Sequence, residues 1–456
     1  MNNPGGGSHV ADRIAAQFVS LGMSPADAAS RAELFATLAT QSEPILYGPA
    51  EWRRFTPGRI EIFGKHTDYA GGHSLLAAVP RGIALEARRR ADDVVRVGDI
   101  FDGQVIEVDP ATEAPPRYRG IQRYVHVVAH RFYLNFPGCQ LGTNIAIASD
   151  LPRASGMSSS SALVVGVALA LVTRANLREH PEFRRHIRDI HDLAWYLGCV
   201  ENGLDFPGLP GSAGVGTHGG SEDHTAILAC KTERVSLYRF VPVTPLGDEA
   251  MPPDWVFVIA SSGVQADKAD SVKDRYNRAS NGARALHAIW NRQNHEPARA
   301  LADALASGPY AAAQLADWLA PEGGFTAAEL RTRLEHFMRE TARASLAAQA
   351  FRVGDRDALG RLAAESQRDA HELLGNQIPE TIELAALARE VGAFASSSFG
   401  AGFGGSVWAA VPRADAPQFG REWGRAFANK MKHIGLVPWF IARPGPPATE
   451  IAATAL

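Results

Sequence analysis

Residues 152–163 read PRASGMSSSSAL, a run of small and hydroxylated residues that passes without a break into apolar sequence. The apolar stretch predicts a helix over Ala162–Arg174. A helix that opens this way turns several free backbone N–H groups, and the positive end of its macrodipole, towards whatever lies in front of it. That is an anion site, and phosphate suits it. The hydroxyls of Ser158, Ser159, Ser160 and Ser161 would add hydrogen bonds or a ligand for magnesium. The alternative is a serine-rich helix cap that holds no ligand.

Outward from this stretch the chain is ordinary in composition. It has 456 residues, a net charge of -3, 46% hydrophobic and 21% charged residues, which is globular rather than disordered. At about 150 residues per domain, two or three domains are implied. Near-neutral charge gives no electrostatic reason for a nucleic-acid or anionic-membrane partner. Cys139, Cys199 and Cys230 are odd in number and far apart, fitting neither a disulfide framework nor a zinc knuckle. The apolar run ending at Val172 is too short to span a bilayer, and the opening residues MNNPGGGSHVADR lack an apolar signal core. The expectation is a soluble protein of a reducing compartment, the cytoplasm, with residues 1–8 disordered.

Apolar spacing predicts helices over His9–Leu21 and Pro25–Leu38, the second opened by Ser24-Pro25. Short strands are predicted at Ile60–Phe63, Ser74–Val79, Ile83–Arg88, Val94–Val97, Val105–Val108 and Thr143–Ala148, and a helix at His186–Asn202. Gly203–Gly220 is glycine-rich and reads as a mobile loop. The proline-dense Val241–Pro253 reads as a linker. It is followed by a strand at Trp255–Ala260, helices at Val272–Asn291, Glu296–Leu305, Ala327–Ala350, Ala358–Leu374 and Pro379–Val391, and a strand at Ser406–Val411. Strands and packed helices on both sides of one linker predict a two-domain α+β enzyme with its active site between the domains.

Three other segments carry chemistry. GAGFGG at Gly400–Gly405 matches G-x-G-x-x-G, but a strand follows it where a dinucleotide-binding loop needs a helix, so only a close backbone approach to a ligand or strand remains. GRIEIFGKH at Gly58–His66 resembles a Walker A loop, with one residue too many and His66 where a serine or threonine belongs. It reads instead as a strand ending in a loop crowded with Lys65, His66, Thr67, Asp68 and Tyr69. His218, Glu222, Asp223 and His224 would make a divalent-metal site or a solvated loop.

Taken together these segments resemble a family. TPGRIEIFGKHTDYAGGHSLLAAVP, at Thr56–Pro80, is similar to the galactokinase signature. PRASGMSSSSAL is similar to the second, phosphate-binding motif of the GHMP kinases, and SFGAGFGGSVWAAV to their third. The resemblance implies a GHMP-kinase-like α+β fold, with a helical extension at 1–40, an N-terminal-like domain at 41–241 and a C-terminal-like domain at 254–456. It implies ATP-dependent phosphoryl transfer, with Mg2+, to the anomeric hydroxyl of a sugar or sugar acid. Gly156, Met157, Ser158, Ser159, Ser160, Ser161 and Ala162 would cradle the phosphates. Ser160 and Glu201 would hold the metal. Asp223 would be the catalytic aspartate, with Arg59 against it. Lys65, His66, Asp68, Tyr276 and Gly402 would meet the sugar.

Departures from the family pattern bear on the substrate. Glu201 and Asp223 are further apart than the resemblance leads one to expect, making Gly203–Gly220 an insertion. Glu222 and His224 flank the aspartate in place of methionine and glutamine, and Phe399 replaces a threonine. Glu61 and Lys65 stand for the family's asparagine and glutamate. A lysine at the glutamate's position would suit a carboxylate at C6, as in galacturonate, unless it pairs with Glu61 or turns to solvent. Galactose or another hexose are the other candidates. Two further readings are a sugar sensor that binds without phosphorylating and a metal-dependent hydrolase at His218 and His224.

Overall fold

Ser24 and Pro25 start a helix where expected: the Ser24 hydroxyl accepts a bond from Asp27 N at 3.1 Å, and proline fills the first helical position. In the computed structural model, which describes residues 6–113, 118–152, 156–264 and 270–452, this helix α2 (Pro25–Gln41) packs on α1 (Gly6–Ser20). Of the segment expected to be disordered, residues 1–5 lie outside the described residues, whereas Gly6 already opens α1. Phe18, Phe35 and Leu38 bury their apolar faces against Phe55, Ala84 and Ala146 of the first sheet. The extension is therefore a cover for that sheet rather than an appendage. After α3 (Glu43–Leu46) come β1 (Trp52–Phe63) and β2 (His73–Arg89), a long antiparallel pair. The two strands expected at Ser74–Val79 and Ile83–Arg88 are one. The register shifts between Pro57 and Arg59, so β2 runs through Pro80 across a bulge instead of ending there.

The first unit continues with β3 (Val95–Asp99), β4 (Val105–Val108), α4 (Gly120–Asn135), β5 (Thr143–Ser149), α5 (Ser159–Arg174), α6 (Pro181–His186), α7 (Ile190–Asn202), α8 (Glu222–Ala229), β6 (Arg234–Arg239) and β7 (Thr244–Ala250). The second unit holds β8 (Trp255–Ser261), α9 (Asp270–Gln293), α10 (Leu301–Leu305), α11 (Ala311–Asp317), α12 (Ala327–Val353), α13 (Arg356–Asp369), α14 (Pro379–Glu390), β9 (Ala395–Ser398), β10 (Ser406–Pro412), α15 (Ala416–Lys430) and β11 (Trp439–Ala442). A last strand, β12 (Thr449–Ile451), follows. This is a two-domain α+β architecture: an eight-stranded sheet ordered β12-β1-β2-β5-β3-β4, with β6 and β7 attached through β2, and a four-stranded sheet ordered β11-β8-β10-β9.

Two boundaries differ from expectation. The supposed linker carries β7, whose pairing with β6 uses Thr244–Ala250 despite its prolines, because Pro245 falls at a register shift. The last residues leave the second unit: Ile451 pairs with Arg53, so β12 completes the first sheet. No helix among the described residues is long and apolar enough to cross a membrane. The fold brings β1, the loop after it, the starts of α5 and α8, and α9 around one cleft.

Candidate active site

The serine stretch forms one wall of a cavity of about 710 Å³. Residues 153–155 of that stretch lie outside the described residues. Ser158 caps α5 in the left-handed region (φ 56°) and makes no side-chain capping bond. The helix's first N–H groups are thus not met by its cap's hydroxyl, against the serine-cap reading. Gly156 and Ser158 through Ser161 line the cavity. Met157 and Ala162 do not. Their apolar side chains are buried in the core, so any contribution from them to a phosphate cradle is by backbone.

Arg59, on β1 just past the bulge, brings Nε and Nη2 to 2.7 Å from Asp223 Oδ1. Its Nη1 donates to Gly156 O at 2.5 Å, and its guanidinium stands 5.9 Å from the centre of the Phe399 ring. Asp223, in the first turn of α8, accepts a bond at Oδ2 from Ser161 Oγ (3.2 Å). Burial pushes this carboxyl up, but Arg59 and the surrounding hydrogen bonds outweigh it and hold the group below the usual carboxylate range. Glu201 Oε2 lies 3.0 Å from the same Ser161 Oγ, so the two carboxylates compete for its one proton. Glu201, Asp223 and the serine hydroxyls make an oxygen donor set that suits Mg2+. No group of three or more His, Cys, Asp or Glu side chains gathers as a metal site among the described residues, so nucleotide oxygens and water would complete the shell. His224 Nε2 stands 2.9 Å from Glu201 Oε2, outside hydrogen-bonding alignment.

An acidic wall went unread in the sequence. Glu61 and Glu222 line the cavity, 3% and 5% exposed. Glu222 Oε2 accepts from Ser74 Oγ at 2.8 Å, and Arg59 Nε lies 3.9 Å from Oε1. Glu61 Oε2 accepts from Gly400 N at 3.3 Å, while Oε1 has no donor among the described residues. A proton on this carboxyl would leave no bare charge on the unpaired oxygen. Burial raises the Glu61 carboxyl to about 7, against the pull of Lys65 and Arg59. The native state therefore holds this proton more tightly than the unfolded chain, and stability falls as pH climbs from about 4.5 to about 7. Glu61→Gln should accordingly raise stability more at pH 8 than at pH 5, by up to roughly 3 kcal/mol. Denaturant midpoints at the two pH values check this, and an equal shift at both would contradict the raised Glu61 carboxyl.

The residues expected to meet a sugar divide. His66 (φ 58°) sets Nδ1 3.0 Å from Tyr69 Oη and Nε2 3.2 Å from Ala401 O, with the Tyr276 ring centre 5.1 Å away. Burial, helped by Arg333, lowers it to about 4, so it is neutral at physiological pH. Asp68 Oδ2 accepts from Glu222 N at 3.0 Å, and burial raises this carboxyl to about 6. Position 220 must be glycine here, since a Cβ would sit 2.2 Å from Asp68 Oδ2. His66, Asp68 and Tyr276 all line the cavity.

Lys65 and Gly402 do not. Lys65 is fully buried and donates from Nζ to Ser366 Oγ (2.8 Å) and Ser397 Oγ (3.0 Å). It neither lines the cavity nor forms an ion pair with Glu61. Its loop turns the stem under α12, where Glu340 accepts from Gly64 N and Ser366 Oγ and pairs with Arg343. Gly402 (φ 80°) packs where a Cβ would meet Asn376 O at 2.3 Å, and Gly400 and Ala401 line the cavity instead.

The inserted loop between α7 and α8 is pinned rather than loose. Arg123 of α4 donates to Gly214 O (2.5 Å), Asn277 to Gly216 O (3.1 Å), and Asn202 Oδ1 accepts from Gly219 N (2.7 Å). His218 turns outward to Asn281 (2.9 Å) and lines a separate cavity, whereas His224 points inward. The imagined histidine-carboxylate metal cluster is not assembled. Arg123 and Lys273 also line the main cavity. Sequence reasoning missed them because no motif marks them.

Residues 46–89 match the galactokinase galactose-binding signature, 121–191 the GHMP kinases N terminal domain, and 347–429 the GHMP kinases C terminal family. The chain is 27% identical over 385 residues to the galactokinase of Roseiflexus sp. (strain RS-1), covering 81% of this chain and 86% of that protein. It is 29% identical over 388 residues to the galactokinase of Actinobacillus pleuropneumoniae serotype 3 (strain JL03), covering 82% and 89%. The crystal structure of Lactococcus lactis galactokinase complexed with galactose superimposes with a TM-score of 0.74 at 22% identity, over 91% of this chain and all of that one.

Proposed function

Because the chain belongs to the GHMP kinase superfamily as a galactokinase-like sugar kinase, we propose that it phosphorylates the anomeric hydroxyl of a galactose-type sugar, with Asp223 as base and Arg59 as its partner. The chain is an ATP-dependent phosphotransferase acting on a sugar hydroxyl. One observation carries the residue assignment. Asp223 has Oδ1 tied to Arg59 and Oδ2 turned to Ser161, in a cavity that the serine wall shares with Asp68, His66 and Tyr276.

In this reading Asp68, His66 and Tyr276 orient the sugar, and Asp223, kept ionised by Arg59, accepts the proton of the anomeric hydroxyl. The start of α5 and its serines hold the nucleotide phosphates. Mg2+, when bound at Glu201 and the serine hydroxyls, offsets charge on the phosphates. Lys65 gives no support to galacturonate, since its ammonium is taken up by Ser366 and Ser397, so galactose and neutral hexoses of its type are the proposed substrates.

ADP release should be measured against galactose, galacturonate, glucuronate, glucose, arabinose and N-acetylgalactosamine. Turnover with galactose above the others is expected. Sugar binding without ADP release from any of them would favour a sensor.

Replacing Ser160 by alanine should raise the Mg2+ concentration needed for half-maximal turnover. An unchanged titration in Ser160→Ala beside a shifted one in Ser161→Ala would move the ligand role to the hydroxyl next to Glu201.

A further inference from the structure

The cavity's five carboxyl groups meet four cationic side chains, Arg59, Arg119, Arg123 and Lys273, and Arg123 is tied to Gly214 O of the inserted loop. Glu61, Asp68, Glu201, Glu222 and Asp223 all face it, and Arg59 is already engaged by Asp223 and Gly156 O. A polyphosphate that enters must be met by cations on another side. Lys273 lies on α9, three residues before Tyr276 and so on the same helix face; both line the cavity. Its Nζ donates to Val215 O of the inserted loop at 3.3 Å, and Val215 N donates to Glu201 O at 2.9 Å. A single loop residue thus separates the ammonium from the backbone of the carboxylate assigned to the metal. Tyr276, one turn on, marks the sugar side. The loop is glycine where the lysine passes: at Gly216 (φ 93°) a Cβ would sit 2.3 Å from Lys273 Nζ. Lys273 forms no ion pair among the described residues. Among the described residues its hydrogen bond goes to a neutral carbonyl, which leaves two of its three protons for another acceptor.

We propose that Lys273 is a further catalytic residue, held by the inserted loop between the metal-side carboxylate and the sugar side, where its ammonium contacts a non-bridging oxygen of the terminal phosphoryl group of ATP. This assignment rests on the kinase reading above. The step balances without a further reactant. The sugar oxygen forms its bond to phosphorus as the bond from phosphorus to the bridging oxygen breaks, the hydroxyl proton passes to Asp223, and ADP leaves. Lys273 keeps its protons throughout and offsets charge on the group in transit.

The test compares Lys273→Met, Lys273→Arg and Asn277→Ala with the wild-type chain, using calorimetric binding of ATP and ADP with Mg2+, together with kcat and KM for galactose. A contact to the terminal phosphoryl group is absent with ADP. Lys273→Met should therefore weaken ATP by about tenfold or more relative to ADP, and lower kcat with little change in the KM for galactose. Lys273→Arg should restore most of both. Asn277→Ala, which frees the loop at Gly216 O without removing charge, should leave the ATP-to-ADP ratio alone. Equal weakening of ATP and ADP in Lys273→Met, or the same pattern in Asn277→Ala, would overturn the proposal and make Lys273 a loop anchor. If the wild-type chain phosphorylates no sugar yet the ratio shifts as described, the kinase reading fails while the phosphoryl contact stands.

Discussion

Asp223→Asn should lower turnover by about 10²–10⁴-fold while leaving ATP binding nearly unchanged. In the proposed reaction the carboxylate accepts the anomeric proton, and an amide cannot take it. Arg59 holds Asp223 Oδ1 through two nitrogens at 2.7 Å, so a carbonyl oxygen there can still accept from the guanidinium and keep the side chain in place. The substitution therefore removes the base with limited disturbance of its position. Arg59 is 4% exposed and loses its main counter-charge, but Glu222 lies 3.9 Å from Nε and tempers that loss. Single-turnover rates with calorimetric ATP binding check the expectation. Activity comparable to wild type would remove Asp223 from the mechanism and leave Glu222 as the next base to try.

Lys65→Glu should destabilise the fold by about 3–5 kcal/mol without moving the preference between galactose and galacturonate. Lys65 is fully buried in a network where its ammonium bonds Ser366 and Ser397. Glu340 opens onto the same network, 0% exposed and held below the usual carboxylate range by Lys65 and Arg343 against the effect of burial. A glutamate at 65 removes a cation and adds a second carboxylate beside Glu340, with Glu61 near enough to feel Lys65 now. Breaking a buried charge network on one side costs far more than its net stabilisation, because uncompensated charge stays buried. Denaturant midpoints and the ratio of kcat/KM for the two sugars test both halves. A variant with a wild-type midpoint and a shifted ratio would return Lys65 to the sugar.

Much of the site was legible because its chemistry is local. The serine stretch joins small residues to an apolar run, and that order alone makes a helix start with free N–H groups; α5 begins at Ser159. Arg59, His66 and Asp68 stand in one motif of the resemblance, Asp223 and Tyr276 outside the quoted motifs, and one cavity receives all five. Strand β4 was read at Val105–Val108, where it lies, because apolar alternation between turn residues is a short-range pattern. The amphipathic α4 went unread, although its buried face is regular.

The sequence by itself determined the types of most elements, the two-domain α+β class and the resemblance to the family, since each follows from neighbours in the chain or from motifs in a set order. Only the tertiary structure decided which side chains within a motif line the cavity. Lys65 and His66 are adjacent, yet the loop sends the first under α12 and the second into the cavity, and the partners that select this, Ser366, Ser397 and Ala401, lie some 300 residues away. Glu61 and Glu222 come to share a wall, and Lys273 reaches the inserted loop, through the same kind of long-range packing. Residue spacing carries periodicity, but the direction of a side chain in a loop is set by whichever distant groups bury it and complete its hydrogen bonds.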